Sequence, residues 1–404
     1  MSKRLNFLLL SLILSFPIFI NSIKIIGNAE LLIIFFIGLV AFLKKNANPF
    51  KIFELRVFSF LTFGYFLAFL IPLLWADGLN TEWSHLGRKL HFLLAPIIAL
   101  AIFNVEVNII KLLAAIKIGL ITIGVIVLIQ FFDGSSRPSG MINANIFNDI
   151  AVIMFFMSLV RIYDESLKEK IFTFTSSIFG LIAIILPSSR GSWLSFFILL
   201  FIFFSLMYYP RLKKFRSRKI IALSLILVSF LFVANNEITK NRIEQANSEI
   251  SNWSEGNGKK TSLGLRLEMW VAGLNAAIDS PLMGYGYRNA NEISSQYAKN
   301  NQEYIKNFTH LHNEYITTFV SSGLIGLIGL MSLLIVPFVI FFKGLKNNFY
   351  LSVMGILLCS AYASFGFSHI AFGEEHINAY FIFFLALLLP RVISNNYLDK
   401  KENV

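Results

Sequence analysis

Apolar runs of roughly 15 to 27 residues alternate with short polar links along most of this chain, the lengths needed to cross a hydrocarbon layer of about 30 Å as helix. The pattern predicts about twelve spans, near 5–22, 25–43, 57–75, 90–103, 112–132, 146–160, 171–187, 192–209, 220–234, 314–342, 349–367 and 377–393. Spanning strands would be shorter and would alternate in polarity, so the pattern excludes a barrel. The first run is flanked by Lys3 and Arg4 but lacks a small-residue cleavage pattern and leads straight into the second, so it is read as a retained helix. The fold class expected is an all-α polytopic membrane protein with one large, partly helical loop. Its parts are helices one to nine in residues 1–234, the loop in 235–313, and the last three helices with a tail in 314–404.

The loop has a pattern of its own. Leu263, Leu267, Trp270, Leu274 and Ile278 recur at spacings of three and four, which predicts a helix with one buried face, ended by Ser280-Pro281. Arg266 stands on its first turn, one residue before Leu267, beside the apolar stripe and not in it. The turn Leu282-Met283-Gly284-Tyr285-Gly286-Tyr287 follows, able either to pack a sugar ring or to brace the loop. From about 245 to 262 the residues are Asn, Ser, Gly, Glu and Lys, a composition that predicts a mobile link.

Composition strengthens the membrane reading. The chain is 56% hydrophobic, 14% charged and contains 43 Phe, with a mean hydropathy of +0.68. Its net charge of +12 is explained by orientation. With the amino terminus in the cytoplasm, 22 of the 35 Lys and Arg fall on cytoplasmic segments and eight in the long loop, which the positive-inside rule does not count. The remaining five, Lys24, Arg88, Lys89, Arg137 and Arg190, occupy short outer links. Both termini are therefore expected in the cytoplasm and the loop outside, with some attraction to anionic membrane lipids and no case for nucleic acid. A single cysteine, Cys359, permits neither an internal disulfide nor a thiolate pair.

The outer cations are the candidate chemistry. Arg190 sits in Pro187-Ser188-Ser189-Arg190-Gly191-Ser192-Trp193, a short link between two apolar runs, and can be read as an interfacial anchor or as a fixed cation for phosphate. Arg137, in Ser135-Ser136-Arg137-Pro138-Ser139-Gly140, and Arg88 with Lys89 share that face and the same two readings. The loop closes on Thr309-His310-Leu311-His312-Asn313, against the next apolar run. A lone histidine is more often structural than catalytic. The place of His312, where polar loop meets apolar helix with arginines on the same side, favours a general base, since neutral imidazole takes up protons near neutral pH. His310 is read as its support or a bystander.

His312-Asn313, nine residues, then Gly323-Leu324-Ile325-Gly326 resembles the His-[Asn/Ser/Gln]-x9-Gly-x-x-Gly signature of bacterial O-antigen ligases. The Ser189-Arg190-Gly191 link, the Arg266-Leu267-Glu268-Met269-Trp270 helix and the Pro281 to Gly286 turn are similar to other recurring marks of that superfamily, in the same order. The motifs cover residues 130 to 330, and the span layout extends the likeness to the whole chain. The superfamily also holds O-antigen polymerases and protein O-oligosaccharyltransferases, which these motifs do not separate.

The resemblance implies a glycan donor on undecaprenyl diphosphate and, as acceptor, a hydroxyl of the lipid A core, joined at the periplasmic face of the bacterial inner membrane. It implies His312 as base, Arg190 and Arg266 on the diphosphate with Arg88 and Arg137 nearby, and Asn313, His310, Trp270, Gly323 and Gly326 in support. No cofactor is expected, because the donor is already activated, and no metal, because the outer loops show no Asp-x-Asp pair and Glu374-Glu375 reads as a solvated patch. A polysaccharide transporter is the rival class. Transporters place ionisable groups near mid-membrane, whereas here Glu30 and His91 are the main ones within the predicted spans.

Overall fold

The computed structural model describes residues 3–23, 25–45, 47–75, 79–212, 244, 248, 251 and 261–402. The predicted span 220–234 and most of the stretch 245–262 lie outside them. Among the described residues all regular structure is helical. Eight helices among the described residues precede the loop: α1 (Lys3–Phe19), α2 (Ile26–Lys45), α3 (Phe53–Trp75), α4 (Leu79–Phe103), α5 (Ile109–Phe132), α6 (Ala144–Ser158), α7 (Leu167–Ile185) and α8 (Arg190–Leu212). The loop contributes α9 (Ser262–Asp279), α10 (Ala290–Gln296) and α11 (Gln302–Lys306). Then come α12 (Glu314–Gly344), α13 (Phe349–Phe365) and α14 (Glu375–Glu402).

Six of these, α2, α3, α4, α5, α12 and α14, are long and apolar enough to cross a membrane, and α6, α8 and α13 are shorter apolar helices. Their starts are set by local chemistry. The Asn108 side chain accepts the amides of Ile110 and Lys111 at the head of α5, Ser166 and Glu169 form a capping box on α7, and Thr261 accepts the Gly264 amide on α9.

α14 is the hub. Its residues 376–390 are all buried, and it packs against α2, α3, α4, α6, α12 and α13. Large apolar side chains such as Phe36, Phe60, Phe201 and Ile328 are exposed on the rim, as lipid-facing residues would be. At the end of the bundle where α7 begins, Lys117 Nζ meets Glu165 Oε1 at 2.5 Å with both side chains at 5% exposure or less, and Thr173 donates to Glu165 Oε2 at 2.6 Å. Inside the bundle, Glu30 accepts from the Ser15 hydroxyl at 2.5 Å.

One boundary differs from expectation. α4 starts at Leu79 and not near 90, so Arg88 and Lys89 are helical residues and not part of an outer link. The polar first turns of this helix hide it from a hydropathy reading. Lys89 is buried, donating to the Tyr65 hydroxyl at 2.7 Å and the Phe372 carbonyl at 2.9 Å.

Candidate active site

The end of the bundle where α4, α6, α8, α12 and α14 begin carries the polar chemistry. α12 opens there at Asn313, whose side chain accepts the Ile316 amide at 3.1 Å. Just before it, His312 adopts a left-handed backbone with φ 52°, a conformation that costs a non-glycine residue about 1–2 kcal/mol and that turns its half-buried ring toward its neighbours. That ring packs edge-on to His310 at 4.4 Å between centroids and to Phe308 at 5.4 Å. Thr309 Oγ1 lies 2.8 Å from His310 Nδ1.

The loop helix α9 is locked to this segment. The Trp270 indole donates to the Leu311 carbonyl at 3.0 Å, and a Cβ on Gly273 would come within 2.7 Å of Leu311 Cδ1 and 2.8 Å of Ile316 Cγ2. The absence of a side chain at Gly273 is what allows α9 to approach α12 so closely.

α12 itself is broken at Gly323, where φ is 60° and ψ is −159°. In a continuous helix the amides of Leu324 and Ile325 would donate to the carbonyls of Val320 and Ser321. They donate instead to Pro281 at 2.8 Å and Leu282 at 3.5 Å, while Val320 and Ser321 accept the amides of Tyr285 and Gly286, each at 2.9 Å. The turn 281–286 thus fills the break and leaves these backbone groups paired, a condition for irregular backbone at membrane depth. Only glycine fits at two of its positions. A Cβ on Gly323 would overlap the Leu282 carbonyl, and one on Gly284, at φ 69°, would sit 2.5 Å from the Val320 carbonyl oxygen. Of the two roles open to the glycine-aromatic turn, the structure shows bracing. Gly326 leaves room for the Ser322 side chain below the break.

A second polar layer converges on the same place. Glu314 holds both ends of the 366–373 loop: its amide donates to the Gly366 carbonyl at 2.8 Å, and its Oε2 accepts the Phe372 amide at 3.0 Å. Within that loop His369 Nε2 lies 2.7 Å from Asp149 Oδ2, a fully buried carboxylate on α6. Ser192 Oγ donates to Asp149 Oδ1 at 2.7 Å and lies 3.0 Å from Ser189 Oγ, whose hydroxyl donates to Asn145 Oδ1 at 3.0 Å. Arg137 joins the chain, donating to Asn145 Oδ1 at 3.2 Å and to the Pro187 carbonyl at 3.4 Å. The first turn of α8 touches it too, since a Cβ on Gly191 would stand 2.5 Å from Ser368 Oγ. The side chain of Arg190 lies outside the described residues, but its backbone opens that turn. Arg88 donates to the Gly373 carbonyl at 3.2 Å.

The charges bear on one another. Burial, and then the charges of Arg266 and His369, bring the pKa of His312 down to about 4. Burial, with His312, His369, Arg266 and Arg88, brings His310 down to about 3. Burial is the largest influence on His369 and opposes its protonation, but the charge and hydrogen bond of Asp149 together with the charge of Glu314 raise that pKa.

The structure therefore gathers His312, His310, Arg266 and Arg88 in one electrostatic neighbourhood. Arg137 and the start of α8 are linked to it through side chains, and Trp270, Asn313, Gly323 and Gly326 form its frame. Asp149, His369 and Glu314 went unweighed in the sequence. An acid within a predicted span is itself a signal, and Asp149 in the run 146–160 carries it.

A histidine among arginines at the head of a broken apolar helix marks a helical membrane protein with its polar chemistry gathered at one end of the bundle. The comparisons with known proteins narrow that class. The family model described as O-antigen ligase matches residues 175–331, from α7 through the break in α12. That stretch is thus similar to the O-antigen ligase family domain and contains most of the motifs noted in the sequence. It is 28% identical over 200 residues to an O-antigen ligase of Escherichia coli K12, a match covering 48% of this chain and 45% of that protein, so it spans less than half of that relative. It is also 29% identical over 329 residues to an uncharacterized protein of Haemophilus influenzae, covering 77% of this chain and 79% of the relative.

Proposed function

We propose that this protein is an inner-membrane glycosyltransferase of the O-antigen ligase type, moving a glycan from undecaprenyl diphosphate to a hydroxyl of the lipid A core. In this reading the site faces the periplasm and both termini lie in the cytoplasm. The observation that carries it is the half-buried His312 ring at the head of a broken membrane helix, kept neutral by burial and by the charges of Arg266 and His369.

The acceptor oxygen gives its proton to His312 and bonds to the anomeric carbon as the bond from that carbon to the phosphate oxygen breaks. The electron pair leaves on the diphosphate, and the configuration inverts. Arg266 and Arg190, with Arg88 and Arg137 nearby, supply positive charge where negative charge grows, the role a divalent cation fills in other glycosyltransferases. Imidazole with a pKa of about 4 is a weak base. The arriving diphosphate offsets the charges that depress it, so the ring gains basicity once the donor is in place.

A lipid-linked donor also fits the surroundings. An apolar groove of about 310 Å³ runs between α8, α12 and α13, with Ile198, Leu334 and Phe338 along it and Tyr315 and Phe367 at the end nearest His312. A polyprenyl chain lying there would keep its diphosphate beside the arginines.

The test is a reconstituted reaction of purified protein with undecaprenyl-diphosphate glycan, offered lipid A core, a second donor lipid or a protein acceptor in turn. Sugar on lipid A core is the expected product. Sugar only on the second donor would make the protein a polymerase, sugar only on protein an oligosaccharyltransferase, and donor moved across the bilayer unchanged a transporter. His312→Ala should lower transfer by about 10²- to 10⁴-fold. Near-normal transfer by that variant would remove His312 from the mechanism.

A further inference from the structure

Taking His312 as the base leaves a second histidine of the same site without a role, and this inference rests on that reading. His369 stands in a loop fastened at both ends to Glu314, two residues beyond His312. Its Nε2 meets Asp149 Oδ2 at 2.7 Å, its Nδ1 lies 3.0 Å from Ser368 Oγ, and its side chain is 12% exposed where that of Asp149 is 0%. The carboxylate is thus on the inner side of the pair, tied to α8 through Ser192, and the imidazole on the outer side.

We propose that His369 is a positioning residue for glycan transfer: with Asp149 it forms a buried ion pair that locks the 366–373 loop to α6 and α8 and turns its cationic partner toward His312.

Every neighbouring element contributes to the balance of charge there. Asp149 on α6 and Glu314 on α12 favour a charged His369, while Arg266 on α9 opposes it. Arg88 and Lys89 on α4 hold the far end of the loop through the Gly373 and Phe372 carbonyls, and Tyr362 on α13 feels the Asp149 charge. His310 and His312 face the pair from the segment before α12, and the charge of His369 acts on both. A cation so placed holds His312 unprotonated in the empty enzyme.

The experiment is the pH dependence of transfer by full-length His369→Gln and Asp149→Asn proteins, with Asp149→Glu as the conservative control. Removing the positive charge should move the acid limb of the donor kcat/KM profile up by about one pH unit, the size of one charge at this range in a partly polar medium. Both variants should show this, since a His369 without its carboxylate loses its proton, and Asp149→Glu should restore the original limb. Folded variants with the limb unmoved would overturn the proposal, because a merely structural pair changes the amount of active protein and not its pH profile. Should neither variant fold, histidine ¹⁵N spectra of the unaltered protein decide: a charged His369 beside a neutral His312 at pH 7 is expected, and a neutral His369 would overturn it. His312→Ala in the same assay keeps the two readings apart, since activity in that variant removes the base while leaving the His369 spectrum intact.

Discussion

Trp270 donates its indole N–H to the carbonyl oxygen of Leu311, the residue immediately before His312, at 3.0 Å. Trp270 is four residues beyond Arg266 on α9, one helical turn, so this bond fixes the register between the arginine and the histidine. Trp270→Phe keeps most of the packing and removes the bond. It should cost about 1 kcal/mol of stability and reduce transfer by more than the loss of folded protein explains. Melting curves and initial rates on the same preparation check this, and a variant that melts lower but transfers at the normal rate per folded molecule would contradict it.

Gly323→Ala tests the break in α12. The added methyl would overlap the Leu282 carbonyl and hold alanine at φ 60° and ψ −159°, a region that is almost exclusive to glycine and costs about 1–3 kcal/mol. The turn 281–286 should be expelled from the break, exposing backbone groups that it now pairs. A lower melting temperature and faster proteolysis between α9 and α12 are expected, whereas an unchanged melting curve would mean that the break tolerates a side chain.

Acid should act on both stability and rate. The pKa values of His310 and His312 in the folded protein, about 3 and about 4, lie below the ordinary histidine value of about 6.5. Between these limits the unfolded chain binds protons that the folded chain refuses, so stability is complete above pH ~6.5 and declines as pH falls toward 4. In the rate, the acid limb of donor kcat/KM should fall near pH 4. The limb of kcat should lie higher, because bound diphosphate offsets the charge of Arg266. Coincident limbs would show that the donor does not sit near the imidazole.

Arginine shape should matter as well as charge. Lysine at 190 or 266 keeps the charge and loses the planar fork, so Arg190→Lys and Arg266→Lys should each reduce donor use by about tenfold or more. Arg88 already donates to the Gly373 carbonyl, so Arg88→Lys should disturb the loop more than donor affinity. Donor titrations of the three variants give the ranking, and equal donor affinity across them would favour the interfacial-anchor reading of Arg190.

Glu165→Gln serves as a control remote from the site. It leaves Lys117 buried without its partner and should cost about 3–5 kcal/mol, while transfer per folded molecule stays normal. Replacing both residues by apolar ones of similar size should recover much of that loss.

Most of the span pattern was legible because lipid imposes a single requirement, continuous apolar helix, and leaves it in the sequence. α9 was legible in extent, since the stripe from Leu263 to Ile278 placed it within a residue or so of Ser262–Asp279, but not in its buried face: Leu265, Met269, Ala272 and Ala276 are buried, while Leu274 and Ile278 of the stripe are exposed. The start of α4 was not, because its first turns are polar and carry no apolar run. At the site, His312 and the arginines showed themselves by sitting at polar-apolar borders. Asp149 and His369 are about 220 residues apart and belong to different runs, so their pairing exists only once α6 and the 366–373 loop are side by side. The glycines of the signature could be read as a motif but not as a mechanical part. That Gly323 admits a distant turn into a helix follows from hydrogen bonds between residues 281–286 and 320–325.

The enclosure of α14 bears on biogenesis. Helices enter a bilayer in order of synthesis, so α2, α3, α4, α6, α12 and α13, against which α14 packs, must wait around a vacancy until the stretch 376–390 arrives to occupy it. Before then the ammonium of Lys89 lacks the Phe372 carbonyl that shields it, and a polar wall inside the half-made bundle is open to lipid. A ribosome stalling near residue 370 would therefore release a chain that is inserted but hollow, a ready substrate for membrane proteases.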